Sequence, residues 1–395
     1  MEWPTRSLGE LCTIQSGGTP RRGPDGLYGG EIPWVKIGDM GVVESIVTKT
    51  EESITRAGLA SIGNRLFPAG TVLLAMYGSV GKTAVAGRPL ATNQAILGIN
   101  PRPSAGLSTG FLLWWLRSQQ PALLAAARGV TQANISKGIV EELRAPVPPM
   151  EEQHRIADIL DKADAIRRKR QQALALTDDL LRATFLDMFG DPVTNPRGWP
   201  VSALGELATV QGGLQVTHAR AANPLEVPYL RVANVYRERL SLDEIKVMRV
   251  TRAELDRIRL FAGDILVVEG HGDPMEIGRC AVWDGSWQDC IHQNHLIRVR
   301  ARADLVFPSY LSAFLNSPGG ARQLIGFGKT TTGLNTISAS QVRQTKVLVP
   351  SVSRQRDYER FSASLARCRQ SLTGSSEEAA ALAAALTHRA FSGEL

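Results

Sequence analysis

Short apolar runs separated by glycine and proline fill two long stretches of the chain. The runs TVLLAMY, AILGIN, DILVVEG and LIRVRA have the length and the branched side chains of buried strands. Two other segments, GFLLWWLRSQQPALLAAAR and PSYLSAFLNSPGGARQLIG, have the composition of short helices. The pattern therefore predicts two mixed α/β domains, at residues 1–148 and 198–350.

A different pattern follows each of these stretches. After Pro149, about forty residues contain no glycine or proline until Gly190. Apolar or small residues recur there at heptad spacing, which is typical of a long amphipathic helix that pairs with another: Ile156, Ile159, Ala163, Ile166, Ala173, Leu180 and Ala183. Residues 351–395 repeat the pattern more weakly, and TGSSEE predicts a break or a new helix cap at Ser375 or Ser376.

The sequence contains an internal repeat. SLGELCTIQSGG corresponds to ALGELATVQGG, EIPWVKIGDM to EVPYLRVANV, and FPAGTVLLAM to LFAGDILVVEG. Further on, VGKTAV corresponds to IGRCAV, TNQAILGINP to HQNHLIRVRA, and the segment beginning ANISKG to the one beginning LNTISA. Six corresponding segments in the same order, at an offset near two hundred residues, indicate duplication of a whole domain together with its helix.

The duplication predicts an α+β fold with four parts. Two duplicated mixed α/β domains, 1–148 and 198–350, alternate with helical regions at 149–197 and 351–395. We expect the two long helices to pair antiparallel, with the domains related by a pseudo-twofold axis. Such duplicated domains suit two half-sites on one DNA duplex that are separated by a spacer of fixed length.

One segment, MYGSVGKT, invites comparison with a phosphate-binding loop. Its register is wrong, because the first glycine of G-x-x-x-x-G-K-[ST] would fall on Met76. AVAGRPLATNQAILGIN follows, and its glycine and proline predict that no helix begins there. A phosphate therefore has no helix N-terminus to bind. A basic, glycine-rich connection between strands is better suited to contact with a charged polymer.

Composition narrows the class of partner. The chain of 395 residues carries a net charge of +7 and has a pI of about 9.4, which favours an anionic partner, nucleic acid first, although basic enzymes share such values. The four cysteines form no C-x-x-C pair, which fits a reducing cytoplasm. We find no apolar signal region and no apolar run long enough to span a membrane.

Several motifs together resemble the specificity subunits of Type I restriction–modification systems. They are LGEL followed by QSGGTP, then IPWVKIGDM, TNQAI, TQANISKGIVEELRAPVPPMEEQHRIADIL and the terminal HRAFSGEL, and the resemblance covers essentially the whole chain. It implies two target recognition domains, each of which reads one half of a split DNA sequence. It also implies helical regions that dock two methyltransferase subunits, with restriction or translocase subunits as further partners.

The same resemblance implies that this subunit is not catalytic. S-adenosylmethionine would be bound by the partner methyltransferase subunits, and no cofactor or metal by this chain. In agreement, the sequence has no Asn-Pro-Pro-aromatic tetrapeptide, no glycine-rich loop for S-adenosylmethionine and no acidic nuclease cluster. Two alternatives stay open: a nucleotide-dependent DNA-processing enzyme, and a coiled-coil scaffold without base readout.

Candidate DNA-binding residues follow from the chemistry of readout. Base edges are read mainly by Arg, Lys, Asn and Gln, and phosphates are bound by Lys and Arg. The alternative for each residue is an ordinary surface charge or a local turn hydrogen bond. The candidates are Arg21, Arg22, Lys36, Lys82, Thr131, Gln132, Asn134 and Lys137 in the first domain, and Arg231, His271, Arg279, Lys329, Asn335 and Ser338 in the second.

The helical regions supply the candidate partner contacts. For binding of the methyltransferase subunits these are Ile156, Ile159, Ile166, Leu180, Phe185 and Phe391. The basic run at 167–170 lies among acidic residues of the same helix, which favours a solvated or partner-facing surface. Cys290, His292 and His295 have no spacing known from zinc sites, so we predict no metal there. Trp114 and Trp115 are predicted to lie in the core.

Overall fold

The structure is a computed structural model, and it describes residues 3–23, 26–41, 46–127, 134–331, 334–392 and 394–395. These residues form two compact units. The first unit comprises Met1–Gln172 and Thr373–Leu395, and the second unit comprises Ala173–Leu372. No helix among the described residues is both long enough and apolar enough to cross a membrane.

The first unit is built on two sheets and a strand pair. A five-stranded sheet has the order β2-β9-β6-β7-β4, a three-stranded sheet has the order β5-β3-β8, and β1 pairs with β10. The strands are β1 (Thr5–Ser7), β2 (Cys12–Ser16), β3 (Tyr28–Val35), β4 (Ile46–Val47), β5 (Glu52–Ile54), β6 (Val72–Ala75), β7 (Thr83–Ala86), β8 (Ala91–Thr92), β9 (Ile96–Pro101) and β10 (Arg144–Pro146). The helices are α1 (Leu8–Leu11), α2 (Arg56–Ser61), α3 (Thr109–Ser118), α4 (Gln120–Ala126), α5 (Lys137–Glu142) and α6 (Met150–Phe189), and the last of these continues into the second unit.

The second unit repeats this topology. The sheet β12-β21-β17-β19 corresponds to β2-β9-β6-β7, the sheet β16-β13-β20 to β5-β3-β8, and the pair β11-β24 to β1-β10. The strands are β11 (Val201–Ala203), β12 (Ala208–Gly212), β13 (Leu225–Leu230), β14 (Val235–Tyr236), β15 (Arg239–Leu240), β16 (Lys246–Val250), β17 (Ile265–Val268), β18 (Gly270–His271), β19 (Cys280–Val282), β20 (Ile291–His292), β21 (Leu296–Ala301), β22 (Lys329–Thr331), β23 (Leu334–Thr336) and β24 (Lys346–Leu348). The helices are α7 (Leu204–Leu207), α8 (Arg252–Ile258), α9 (Pro308–Asn316), α10 (Pro318–Phe327), α11 (Ala339–Gln344) and α12 (Val352–Ser392).

Each unit has a core between its larger sheet and the helix that follows it. In the first unit, Phe111 and Trp115 of α3 are buried together with Val72 and Ile99 of the sheet. Tyr310 and Phe314 of α9 are buried in the corresponding core of the second unit. Trp114, 8% exposed, also lies in the core, which confirms the prediction for both tryptophans. The duplicated mixed α/β fold is thereby confirmed.

The two long helices differ from expectation at one point. Helix α6 has 40 residues and the predicted ends, but α12 runs unbroken through Gly374 and Ser375. The predicted break at TGSSEE is therefore wrong. A glycine inside a helix costs only about 1 kcal/mol relative to alanine, and here Arg170 of α6 donates a hydrogen bond to the carbonyl oxygen of Ser375.

The helices run antiparallel within each unit. In the first, Arg155 of α6 donates to the carbonyl of Leu395, just beyond α12, at 2.7 Å, and Arg170, further along α6, reaches back to Ser375. In the second, Asp178 pairs with Arg369, whereas Phe185, further along α6, contacts the earlier Tyr358. Residue numbers rise on one helix as they fall on the other, as predicted.

Several predicted partner contacts are used by the units themselves. Ile156 and Phe185 are buried in the two cores, so their assignment as partner contacts is corrected. Heptad spacing treats the helix as uniform, whereas both ends of α6 pack into a globular core. Phe391 packs against Phe111, with the two ring centroids 5.4 Å apart, and Ile159 is half-buried. Of the six, Ile166 and Leu180 are about half exposed.

Candidate nucleic-acid interface

A lysine at the end of β3 lies at the centre of the first unit's candidate interface. The Lys36 backbone N–H donates to Asp39 Oδ2 at 2.7 Å and so closes a turn of 3₁₀ helix, Ile37–Asp39. Lys36 Nζ pairs with Glu51 at 2.6 Å and with Glu52 at 2.8 Å. Hydrogen bonds to these two carboxylates raise the pKa of Lys36. The turn thus fixes where the ammonium group stands.

A second cation shares one of these carboxylates. Arg22 reaches Glu52 at 2.8 Å, and its guanidinium lies 4.6 Å from the centroid of the Tyr28 ring. The hydrogen bond from Lys36, and then the one from Arg22, lower the pKa of Glu52. Two residues separated in sequence are thereby held together, each with part of its charge balanced by Glu52.

The glycine-rich segment contributes a third cation. Lys82 lies in the turn between β6 and β7, and its Nζ donates to the carbonyl of Ile37 at 3.4 Å. At the start of the same turn, Tyr77 forms a β-bridge with Asn134. The structure therefore brings Lys36, Lys82 and Asn134 together at one edge of the first unit. Strand β7 begins at Thr83, the last of the GKT residues, which confirms that no helix begins there.

The second unit repeats this scaffold with different side chains. The Arg231 backbone N–H donates to Asn234 Oδ1 at 3.0 Å, closing the 3₁₀ turn Val232–Asn234. The Arg231 side chain forms an ion pair with Glu244 at 2.7 Å. Arg279 donates to the carbonyl of Val232 at 3.2 Å, just as Lys82 does to Ile37. The matching bonds make Arg231 the counterpart of Lys36, and Arg279 that of Lys82.

The counterparts are not equally accessible. Arg279 is only 8% exposed and pairs with Glu276 at 2.6 Å. Its guanidinium also lies 5.2 Å from the ring centroid of Tyr236. Lys82 is half-buried by comparison. This corrects the assignment of Arg279 as a DNA contact, because its guanidinium supports its neighbours from inside the unit.

Two other candidates of the second unit meet across a strand pair. His271 on β18 stands opposite Asn335 on β23. Asn335 Nδ2 donates to the carbonyl of Gly272 at 3.3 Å, and His271 Nδ1 accepts from the Asp273 backbone N–H at 3.0 Å. The side chains therefore organise the loop that follows β18.

The remaining candidates have local roles or fall outside the description. Ser338 Oγ caps α11 by accepting from the Gln341 N–H at 3.3 Å, which favours the local alternative. Lys137 pairs with Glu141 at 3.1 Å on one face of α5, and Arg21 is exposed. Thr131 and Gln132 lie outside the described residues, as does the side chain of Lys329.

The histidine and cysteine group of the second unit is built for packing. Cys290 and His292 are fully buried, and burial, together with the nearby charge of Arg298, lowers the pKa of His292 to about 4. His292 is therefore neutral near pH 7. Within the described part of the chain, no three His, Cys, Asp or Glu side chains are grouped so as to hold a metal ion.

Sequence reasoning missed a hairpin beside Arg279. Strands β14 and β15 form it, and Tyr236, 41% exposed, stands on it with the Arg239 guanidinium 5.0 Å from its ring centroid. Arg237, in the turn, donates to the carbonyl of Met275. The signal was present in the run YRER, an aromatic residue among charges. A comparison of the two repeats does not reveal it, because the run has no clear counterpart in the sequence of the first domain.

Comparison with known proteins finds similarity to one family. Residues 1–176 match the family model described as the Type I restriction modification DNA specificity domain. Over this part, the chain is similar to the specificity subunits of Type I restriction–modification systems. The family model covers the first domain and the start of α6. The repeated topology shows that the second unit has the same architecture.

Individual relatives are distant. The chain is 25% identical over 251 residues to the Type I restriction enzyme MjaIX specificity subunit of Methanocaldococcus jannaschii, covering 59% of this chain and 58% of that protein. It is 24% identical over 275 residues to the EcoKI specificity subunit of Escherichia coli K12, covering 66% and 59% respectively. The chain thus spans less than two thirds of the length of these curated relatives.

A solved structure shares the whole fold. The crystal structure of a Type I restriction–modification system S subunit from M. genitalium superposes with a TM-score of 0.58 at 15% identity. The alignment covers 99% of this chain and 96% of that one. At this identity the likeness establishes the fold alone.

Proposed function

We propose that this chain is the DNA-reading subunit of a Type I restriction–modification complex that acts in the cytoplasm. Each unit would read one half of a split target sequence, with the edge that carries Lys36 in the first unit and Arg231 in the second facing the duplex. The observation that carries the proposal is the repeated scaffold. In both units, a cation at the end of a strand is fixed by a 3₁₀ turn, and a second cation bonds to that turn.

The chemistry at this edge is suited to nucleic acid and to no obvious reaction. Arg22, Lys36 and Lys82 are cations of the kind that contact phosphates and guanine. We propose that catalysis belongs to two methyltransferase subunits, which would bind S-adenosylmethionine and flip the target adenine out of the duplex. Restriction subunits would join the same assembly. Ile166 and Leu180 are exposed on α6, as are Leu176 and Leu186, and these apolar side chains are available to such partners.

The proposal is tested by mapping methylated adenines across the host genome with this gene intact and with it deleted. We expect one split, two-part methylation motif to disappear when the gene is deleted. Persistence of every split motif in the deleted strain would overturn the proposal. The lost motif also reveals both half-sites, which supplies the duplexes for the binding measurements below.

Lys82→Ala tests the first unit's edge directly. Loss of one phosphate contact should weaken binding to the split motif and make the slope of log K against log salt shallower by about 1. Lys162→Ala removes the same charge from the exposed surface of α6 and serves as the control. Binding titrations at four salt concentrations measure both slopes. Equal slopes for Lys82→Ala and the unmodified chain would remove Lys82 from the phosphate contacts.

We further propose that the long helices set the spacer between the half-sites. Inserting one helical turn into both α6 and α12 should change the number of unspecified bases in the methylated motif. The half-site bases should stay the same, since the residues at the two edges are untouched. Methylation mapping of the insertion strain measures both properties together. Altered half-site bases with an unchanged spacer would contradict this role.

A further inference from the structure

We propose that the hairpin Val235–Leu240 is a DNA-backbone contact of the second unit, and that Glu238 is the residue that positions it. The inference rests on the proposed function, because it assigns a further element to the same binding surface. It adds a site that lies outside the candidates drawn from the sequence. Three observations carry it: the chemistry of the exposed side chains, the link to the repeated scaffold, and the anchoring of the turn.

The exposed side chains of the hairpin are cationic and aromatic. Tyr236 is 41% exposed, and the Arg239 guanidinium lies over its ring. Arg237 donates to the Met275 carbonyl, and the Met275 residue is itself 61% exposed. Guanidinium groups bind phosphate oxygens in a bidentate manner, and a tyrosine hydroxyl donates to phosphate while its ring packs on sugar.

These arginines differ from the first unit's cations in their charge balance. Lys36 and Arg22 are paired with glutamates at 2.8 Å or less. Arg237 and Arg239 form no ion pair with any described residue within 4.0 Å. An unbalanced pair of positive charges on a projecting hairpin attracts a polyanion without first displacing a carboxylate.

The hairpin is joined to the candidate interface through Arg279. This buried guanidinium lies 5.2 Å from the Tyr236 ring centroid, and it donates to Val232, in the turn that follows Arg231. Arg279 therefore supports the hairpin from one side and the Arg231 turn from the other. Arg279 corresponds to Lys82 of the first unit, but here the side chain supports the hairpin from inside the unit.

Glu238 anchors the turn. Its φ of 55° is in the left-handed region, which costs a non-glycine residue about 1 kcal/mol or more. The Glu238 N–H donates to the Cys280 carbonyl at 2.9 Å, and its carboxylate accepts from Ser312 Oγ at 3.1 Å and from Asn316 Nδ2. The strained turn persists because these bonds over-determine it.

The Glu238 carboxylate points into the unit, although the residue as a whole is exposed. The Glu238 turn is at the surface, but Ser312 is fully buried on α9. Withdrawal of the carboxylate from water raises the pKa of Glu238 to about 7. Asn316 completes the anchor by donating to the Cys280 carbonyl at 2.8 Å. The bonds join the hairpin turn, β19 and α9, so the positions of Arg237 and Arg239 depend on Glu238.

The test uses the full chain with duplexes carrying the methylated motif identified above. Arg237→Ala with Arg239→Ala should weaken binding at least tenfold and reduce the salt slope by about 2, one for each phosphate contact. These are surface substitutions, so the unfolding curve should not move. Arg257→Ala, an exposed arginine on α8 of the same unit, is the matched charge control. Unchanged affinity in the double variant would overturn the inference.

A thermodynamic cycle then isolates the positioning role. Glu238→Ala should weaken binding in the unmodified chain but have no further effect on binding once both arginines are alanine. Its effect on stability should be the same in both backgrounds, so a merely structural role would give additive losses of affinity and contradict the assignment. If the unmodified chain fails to bind the motif at all, the proposed function fails first, and that outcome is distinct from normal binding by the hairpin variant.

Discussion

Gly213→Ala should destabilise the second unit by about 3 kcal/mol or more, whereas Gly212→Ala, one residue earlier, should change its stability by less than about 0.5 kcal/mol. A Cβ on Gly213 would lie 2.3 Å from the carbonyl oxygens of both His292 and Gln293. These are backbone atoms of the last residue of β20 and of the residue after it, and they cannot rotate out of the way. A Cβ on Gly212 would meet nothing within 4 Å.

Hydrogen exchange locates the effect as well as its size. The Leu214 N–H donates to the His292 carbonyl at 3.1 Å, beside the predicted clash. Faster exchange at Leu214 in Gly213→Ala, but not in Gly212→Ala, would match the contact, and urea unfolding gives the free energies. Equal stability of the two variants would mean that the segment has room that the structure does not show.

The same contact exists in the first unit and explains a motif. A Cβ on Gly17 would lie 2.1 Å from Thr92 Oγ1 and 2.2 Å from the Thr92 carbonyl oxygen. Gly17 and Gly213 are corresponding residues of QSGG and QGGL. Each glycine allows the chain that leaves β2 or β12 to pass directly against the end of β8 or β20. In the first unit, the loop after this crossing carries Arg22, so the glycine contributes to the candidate interface without contacting DNA.

The sequence was sufficient where a structural signal is local. Strands such as Val72–Ala75 and Ile265–Val268 follow from short branched apolar runs, and α6 follows from forty residues free of glycine and proline. The duplication was also visible, because corresponding segments keep their order. These features need no knowledge of which residues meet in space.

The sequence was insufficient where a distant partner decides the outcome. Lys36 meets Glu51 and Glu52 because β3 and β5 pair, and the positions of cations in the sequence do not point to those carboxylates. Arg279 occupies the position of Lys82 but is buried, since the hairpin Val235–Leu240 packs over it. The structure therefore groups several candidates of the first unit, which stay predictions, whereas in the second unit it buries Arg279.

Gln153→Leu should lower the free energy of unfolding of the first unit by about 3 kcal/mol. Gln153 is fully buried near the start of α6 and makes three hydrogen bonds: its Oε1 accepts from the Ser108 N–H at 2.8 Å, and its Nε2 donates to the carbonyls of Gly106 at 2.7 Å and Pro148 at 2.8 Å. Leucine has a similar volume but leaves one donor and two acceptors without partners. Each lost bond contributes about 1 kcal/mol, and an unsatisfied buried group costs more.

The second unit contains the same arrangement. Gln355, near the start of α12, is fully buried; it accepts from the Phe307 N–H at 2.9 Å and donates to the carbonyls of Leu305 at 3.3 Å and Pro350 at 2.8 Å. One glutamine thus joins each long helix to the loop before α3 or α9. If the helices set the spacer, these residues fix the direction in which each helix leaves its domain.

Gln172→Leu is the matched control, because this residue is exposed on α6 and the same change should cost less than about 0.5 kcal/mol there. Urea unfolding of the three leucine variants should show a large loss for Gln153 and Gln355 only. Gln153→Glu separates the two sides of the interaction, since it keeps the acceptor for Ser108 and loses both donors. A Gln153→Leu variant as stable as Gln172→Leu would mean that packing of the helix start, and not the buried amide, holds α6 to its domain.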